Sequence, residues 1–235
     1  MQTSNLNQFK IAAIKQLFVA SAMLFVQIIV FFVAAGQIFG PRPWLYFCTA
    51  FVHYAVSIVV QYRLSPQLLV QRLKRNRKGS KLWDEILMRF SNLMMIIAIP
   101  AASGLDGRFQ WSNLEAYFAL VGLVVLSGST VLLNWAMILN PYFEPTVRIQ
   151  EERDHNVITN GPYKIVRHPG YLAGILFAIS IPLMIGSIVA FVSVGIYVLL
   201  TIIRTWLEDR TLQEELKGYS EYASEVRYRL FPGIW

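Results

Sequence analysis

Five long apolar runs, at residues 17–39, 44–62, 86–102, 114–139 and 171–203, leave this chain few ways to fold. Each is close to or above the roughly 20 residues that a helix needs to cross the hydrocarbon of a bilayer. Backbone N–H and C=O groups in hydrocarbon have no water to pair with, so a spanning segment must satisfy them internally, as a helix does. Composition agrees. Of the 235 residues 55% are hydrophobic and only 15% charged, where a soluble domain carries about 25% charge. Mean hydropathy is +0.47. The expected fold is all-α: a polytopic integral-membrane helical bundle.

The last run sets the number of spans. As one straight helix, residues 171–203 would be about 50 Å long at 1.5 Å per residue, against a hydrocarbon core of about 30 Å. Pro182 and Gly186-Ser187 interrupt it near the middle. The run therefore reads as a helical hairpin, 171–185 then 187–206, which gives about six spans in all. Gly40-Pro41-Arg42-Pro43 separates the first two spans, because proline lacks a donor and restricts the residue before it. Ser103-Gly104 is expected to close the third span, with Asp106 and Arg108 in the loop that follows. Asn140-Pro141 closes the fourth.

Charge supports this count. With six spans, all of the 21 Lys and Arg residues except Arg42 and Arg108 fall on one side of the membrane. Cytoplasmic loops carry the Lys/Arg excess, so both termini, the basic segment 63–89 and the polar loop 140–170 are expected to face the cytoplasm. The segment 63–89, centred on Arg72-Leu73-Lys74-Arg75-Asn76-Arg77-Lys78, is read as the topology-setting loop. The net charge of +7 then reflects membrane orientation and contact with anionic lipid, not nucleic acid. The first apolar run is too long for the core of a cleavable signal and is read as a retained span. The lone Cys48 has no intrachain disulfide partner, and no CxxC or HExxH spacing suggests a metal site.

Two polar clusters flank the hairpin, which returns both to the same face. In the first, Gly161-Pro162 signals a turn and Pro169 sets a helix boundary. Arg167 and His168 thus sit at a helix mouth, where unpaired N–H groups and the helix dipole favour an anion. They could equally anchor that helix end among lipid headgroups. In the second, Arg204 and Glu208 are four residues apart, share one helix face and can pair. That pair could be a simple interfacial ion pair, or Glu208 and Asp209 could face Arg167 and His168 across a site for a cationic or hydroxyl-rich ligand.

The order of these blocks carries a resemblance. Gly161-Pro162-Tyr163, Arg167-His168-Pro169, Tyr171, the hairpin, Arg204-x3-Glu208-Asp209, Gly218-Tyr219-x2-Tyr222 and the closing Arg229-Leu230-x-Pro232-Gly233-Ile234-Trp235 resemble the isoprenylcysteine carboxyl methyltransferase family and the related phospholipid and thiol methyltransferases. The resemblance covers residues 140–235. It divides the chain into an N-terminal four-span membrane region, 1–139, and a methyltransferase-like region, 140–235. It implies S-adenosylmethionine as cofactor, held by Tyr163, Arg167, His168, Pro169, Tyr171, Glu208 and Asp209. Asp209 stands where the family usually has a second Glu. Glu208 and Arg204 would be the catalytic pair, and Arg227 and Arg229 would meet an anionic substrate group or lipid headgroups. The implied reaction is direct methyl transfer to a lipophilic small-molecule or lipid acceptor: an isoprenylcysteine carboxylate, a phospholipid amine or a thiol. Two other classes remain open at this point, an NADPH-dependent sterol-reductase-like membrane enzyme and a non-enzymatic transporter or scaffold.

Overall fold

The structure is a computed structural model that describes residues 2–38, 40–74 and 79–235. Helix α1 (Gln2–Ala35) is followed by α2 (Pro41–Leu64), the short α3 (Pro66–Leu73) and α4 (Leu82–Leu93). A π-helical turn, Met94–Ala98, joins α4 without a break to α5 (Ile99–Phe109). Then come α6 (Phe118–Leu139), α7 (Pro169–Ile185), α8 (Ala190–Glu215) and α9 (Tyr219–Glu225). Among the described residues there is no β-strand. Five helices are long and apolar enough to span a membrane: α1, α2, the α4–α5 continuum over Leu82–Phe109, α6 and α8. A shorter apolar helix, α7, has 17 residues and reaches about 26 Å at 1.5 Å per residue. The outer faces bear exposed Phe18, Val33, Val124 and Val192, a surface matched to lipid tails rather than water.

The expected hairpin is present. Gly186, at φ 101°, ends α7 in a left-handed conformation that glycine adopts at little cost. Two expectations need correction. Residues 63–89 do not form a simple loop, for they contain α3 and the first turns of α4. The most basic stretch, Arg75 to Lys78, lies outside the described residues, as does Phe39. The third span also does not stop at Ser103-Gly104. A Cβ added at Gly104 would lie 2.4 Å from the Phe31 carbonyl oxygen. The glycine is there because α1 and α5 cross backbone against backbone, the small-residue contact of membrane helices. Asp106 and Arg108 therefore ride on α5 rather than in a loop.

At the end of the bundle where α7 turns into α8, buried Asp106 accepts hydrogen bonds from Ser112 N (2.7 Å), Ser112 Oγ and Ser187 Oγ. Arg42 donates to the carbonyls of Leu183 (2.8 Å), Met184 (3.0 Å) and Leu114 (2.6 Å). It thus satisfies acceptors that the end of α7 leaves unpaired. The core between these helices is built from Leu24, Phe31, Tyr46, Phe47, Ile99, Leu126, Ile181 and Met184. Asn134 on α6 donates to Ser57 on α2 (2.8 Å), an interhelical bond of the kind that joins helices in lipid. With this end fixed, the opposite end of α6, α7 and α8 converges on the loop 140–168.

Candidate active site

Local structure first brings the two polar clusters together. Gly161 adopts φ 59° and opens the 3₁₀ turn Gly161–Lys164, which places Tyr163 inward. His168 caps α7 and Pro169 begins it, the first-turn position where a missing N–H costs nothing. The N–H groups of the two residues before α7 are not left open for an anion. Arg167 N donates to Tyr228 O (2.9 Å) and His168 N to Arg229 O (3.0 Å), so the C-terminal segment is clamped along the entrance to α7.

Behind this clamp lies an ionic centre on one carboxylate. Asp209, 1% exposed, receives Arg167 Nη2 at 3.1 Å, Gln213 Nε2 at 2.9 Å, Tyr219 OH at 3.0 Å and Arg229 Nε at 2.9 Å. His168 Nε2 sits 3.2 Å from its Oδ1. The anion that Arg167 and His168 meet is thus an internal one. Arg167 also reaches the carbonyl of Ala223 (3.1 Å), which ties in α9. Tyr222 OH donates to Tyr163 O (2.7 Å). Burial raises the pKa of the Tyr163, Tyr219 and Tyr222 phenols, so these hydroxyls act as donors.

In front of the centre is a cavity of about 340 Å³, within the range of small-molecule sites. Its walls include Tyr163, Arg167, His168, Pro169, Tyr171, Arg204 and Glu208. Seven of the residues singled out from the sequence therefore share one cavity. Asp209, Arg227 and Arg229 do not line it. Successive residues on a helix point about 100° apart, so Glu208 faces the cavity while Asp209 points into the protein. Arg229 is held by Asp209 and stacks on Trp235 at 5.0 Å, and Arg227 is exposed.

The i,i+4 pairing open to Arg204 and Glu208 gives way to a longer-range one. Arg204 Nε lies 2.6 Å from Asp84 Oδ1, and its Nη2 donates to Pro145 O (2.5 Å). Its guanidinium covers the Tyr171 ring at 5.1 Å, and the Tyr171 hydroxyl donates to Glu208. Asp84 also accepts Val147 N (2.8 Å), so it fixes both α8 and the loop.

Sequence reading did not point to the remaining walls. Arg72 of α3 and Met88 and Asn92 of α4 close one side, with Leu133 of α6 beside them. The basic segment thus contributes directly to the cavity through Arg72, which donates to Phe143 O (3.3 Å). The loop forms the roof. Buried Gln150 donates to Tyr142 O (2.8 Å), and Tyr142 OH to Asp154 O (2.9 Å). His155 stacks on Tyr142 at 4.3 Å and accepts Gln150 N (3.4 Å). Burial, followed by the charges of Arg153 and Arg148, lowers its pKa to about 4. The acidic pair Asp84-Glu85 at the entry of an apolar run was the available signal for Asp84. A Met88 and Asn92 pair spaced by four residues was the signal for the α4 face.

Residues 120–214, which hold most of this cavity, match the model of the isoprenylcysteine carboxyl methyltransferase (ICMT) family. Two proteins, each called "Probable protein-S-isoprenylcysteine O-methyltransferase", come from Oryza sativa subsp. indica and Oryza sativa subsp. japonica. Each is 31% identical to this chain over 70 residues. The shared part is 29% of this chain and 37% of the length of those relatives. By the family match, and by the Arg167-His168-Pro169 and Glu208 blocks within it, the segment from residue 120 to residue 214 is similar to the isoprenylcysteine carboxyl methyltransferase superfamily.

Proposed function

We propose that this protein is an S-adenosylmethionine-dependent methyltransferase of the membrane, acting on a lipophilic acceptor at its cytoplasmic face. The supporting observation is the shared cavity: the family's Arg-His-Pro-x-Tyr block and its first acid, though far apart in sequence, line one space of about 340 Å³. The residues suit the cofactor. Tyr163, Tyr171, Tyr219 and Tyr222 offer aromatic surface, and the Glu208 carboxylate offers a negative charge for a cationic group. When bound, S-adenosylmethionine supplies a methyl group on a positively charged sulfur.

The chain's own work is to position and to set charge. Tyr163, Pro169 and Tyr171 shape the cofactor side, and the Asp209 centre holds Arg167 and His168 in place behind it. Tyr171 fixes the Glu208 carboxylate by its hydroxyl. Groups held in this way contribute to catalysis without reorganising during the reaction. Glu208 also serves as base for a thiol or ammonium acceptor, which must lose a proton; a carboxylate acceptor needs none. Residues 140–235 thus carry the cofactor side. The four-span region 1–139 supplies the acceptor side through Met88 and Asn92, with Leu133 of α6. Helices α4 and α6 border the cavity but make little contact with each other, which leaves a sideways route for a lipid. The abundance of Lys and Arg at this end supports a cytoplasmic orientation.

The test is methyl transfer from radiolabelled S-adenosylmethionine by the purified full chain. Prenylated cysteine carboxylate, phospholipid amine and thiol acceptors are compared in parallel. The expected result is transfer to one class, lost in Glu208→Gln. Binding of NADPH without binding of S-adenosylmethionine would overturn the proposal.

A further inference from the structure

Glu208 has a competitor for its role. Arg204 lies one helical turn before it on α8, at the i,i+4 spacing where opposite charges pair. Left to each other, the two would form an intrahelical ion pair, and the Glu208 charge would be largely cancelled before any ligand met it. The structure shows a different pairing. Asp84, 0% exposed, reaches from α4 to take Arg204 Nε at 2.6 Å. Arg204 is held further by Pro145 O and by its place over the Tyr171 ring. Glu208 keeps only the Tyr171 hydroxyl and makes no ion pair among the described residues.

We propose that Asp84 is a positioning residue that holds Arg204 and so leaves the Glu208 carboxylate available in the cavity for a cationic ligand. This rests on the methyltransferase reading above and adds a role for the four-span region: it sets the charge available at Glu208. Asp84 touches neither Glu208 nor the cavity. It reaches Glu208 through Arg204, and its other oxygen holds Val147 N of the loop. Without its charge, Arg204 has one carboxylate left within reach on its own helix face, and Glu208 is drawn from Tyr171 into that pair.

The prediction concerns charge discrimination, not affinity alone. S-adenosylmethionine and S-adenosylhomocysteine differ by one methyl group and by the positive charge on sulfur. Both affinities are measured by calorimetry on the full chain in detergent, for the wild type and for Asp84→Asn. Asparagine keeps the shape and can still accept from Val147 N. The expected change is a loss of about ten-fold in affinity for S-adenosylmethionine relative to S-adenosylhomocysteine. Asp84→Glu should keep the wild-type ratio by restoring the partner. Equal weakening of both ligands in Asp84→Asn would show a merely structural role and overturn the inference while leaving the methyltransferase reading intact. If Asp84→Asn does not fold, Asp84→Ser decides by the same ratio: a loss supports the inference, and a wild-type ratio overturns it. A wild type that binds neither ligand overturns the methyltransferase reading, and this inference with it.

Discussion

Removal of the Asp209 carboxylate should unfasten the C-terminal segment from the bundle. The side chain is 1% exposed and is bonded by Arg167, Gln213, Tyr219 and Arg229, with His168 at 3.2 Å. In Asp209→Ala, Arg229 can turn outward, since its side chain is already 26% exposed. Arg167 cannot, at 5% side-chain exposure, and is left as a buried charge without its counterion. Breaking a buried pair on one side costs about 3–5 kcal/mol. The Tyr219 hydroxyl keeps His168 Nε2 at 3.4 Å as a partner, so it adds little to this cost. A loss of about 3–5 kcal/mol is therefore expected in equilibrium unfolding at fixed detergent composition. Amide exchange should locate it. The N–H groups of Arg167 and His168, which donate to Tyr228 O and Arg229 O, should lose protection before the core of α6 does. Asp209→Glu restores the charge but forces an extra methylene among these donors, and should cost about 1–3 kcal/mol as an overpacked site. Glu208→Gln, facing the cavity, should leave stability nearly unchanged. A loss below about 1 kcal/mol in Asp209→Ala, with unchanged exchange at Arg167 and His168, would refute the assignment of Asp209 as the centre of this network.

Three further outcomes follow from other parts of the molecule. Because the folded pKa of His155 is about 4 and its free value is about 6.5, protons bind the released loop more readily than the docked one. Protease resistance of residues 140–157 should therefore be full above about pH 6.5, fall as pH drops towards 4, and lose that dependence in His155→Gln. In Gly104→Val the new Cβ meets the Phe31 carbonyl. The α1–α5 crossing must open, with a loss of about 1–3 kcal/mol or more in the same unfolding assay. Arg42→Met leaves the carbonyls of Leu183, Met184 and Leu114 without their donor. It should cost about 1–3 kcal/mol and speed exchange at the α7–α8 turn, while ligand affinity at the far cavity stays at the wild-type value.

What the sequence revealed and what it hid divide along physical lines. Apolar run length, proline and glycine placement and the Lys/Arg distribution are local, and they led to the spans and to the hairpin that returns Arg167-His168 to Glu208. The end of the third span was misread because Gly104 has two physical uses. It can break a helix, or it can let another backbone approach, and only the neighbouring α1 shows which applies. The site residues divide in the same way. Tyr163, Arg167, His168, Pro169, Tyr171, Arg204 and Glu208 stand in recognisable blocks and do meet at one cavity. What they do there depends on partners that spacing does not reveal. Arg204 chooses Asp84, 120 positions away, over the carboxylate one turn along its own helix. Glu208 and Asp209 are neighbours in sequence with the same charge, yet a rotation of about 100° per residue sends one to the cavity and the other to the interior. An adjacent acid pair on a helix is thus two different groups, one facing a ligand and one holding the wall. The resemblance treated them as one motif, and the fold gives each a separate task.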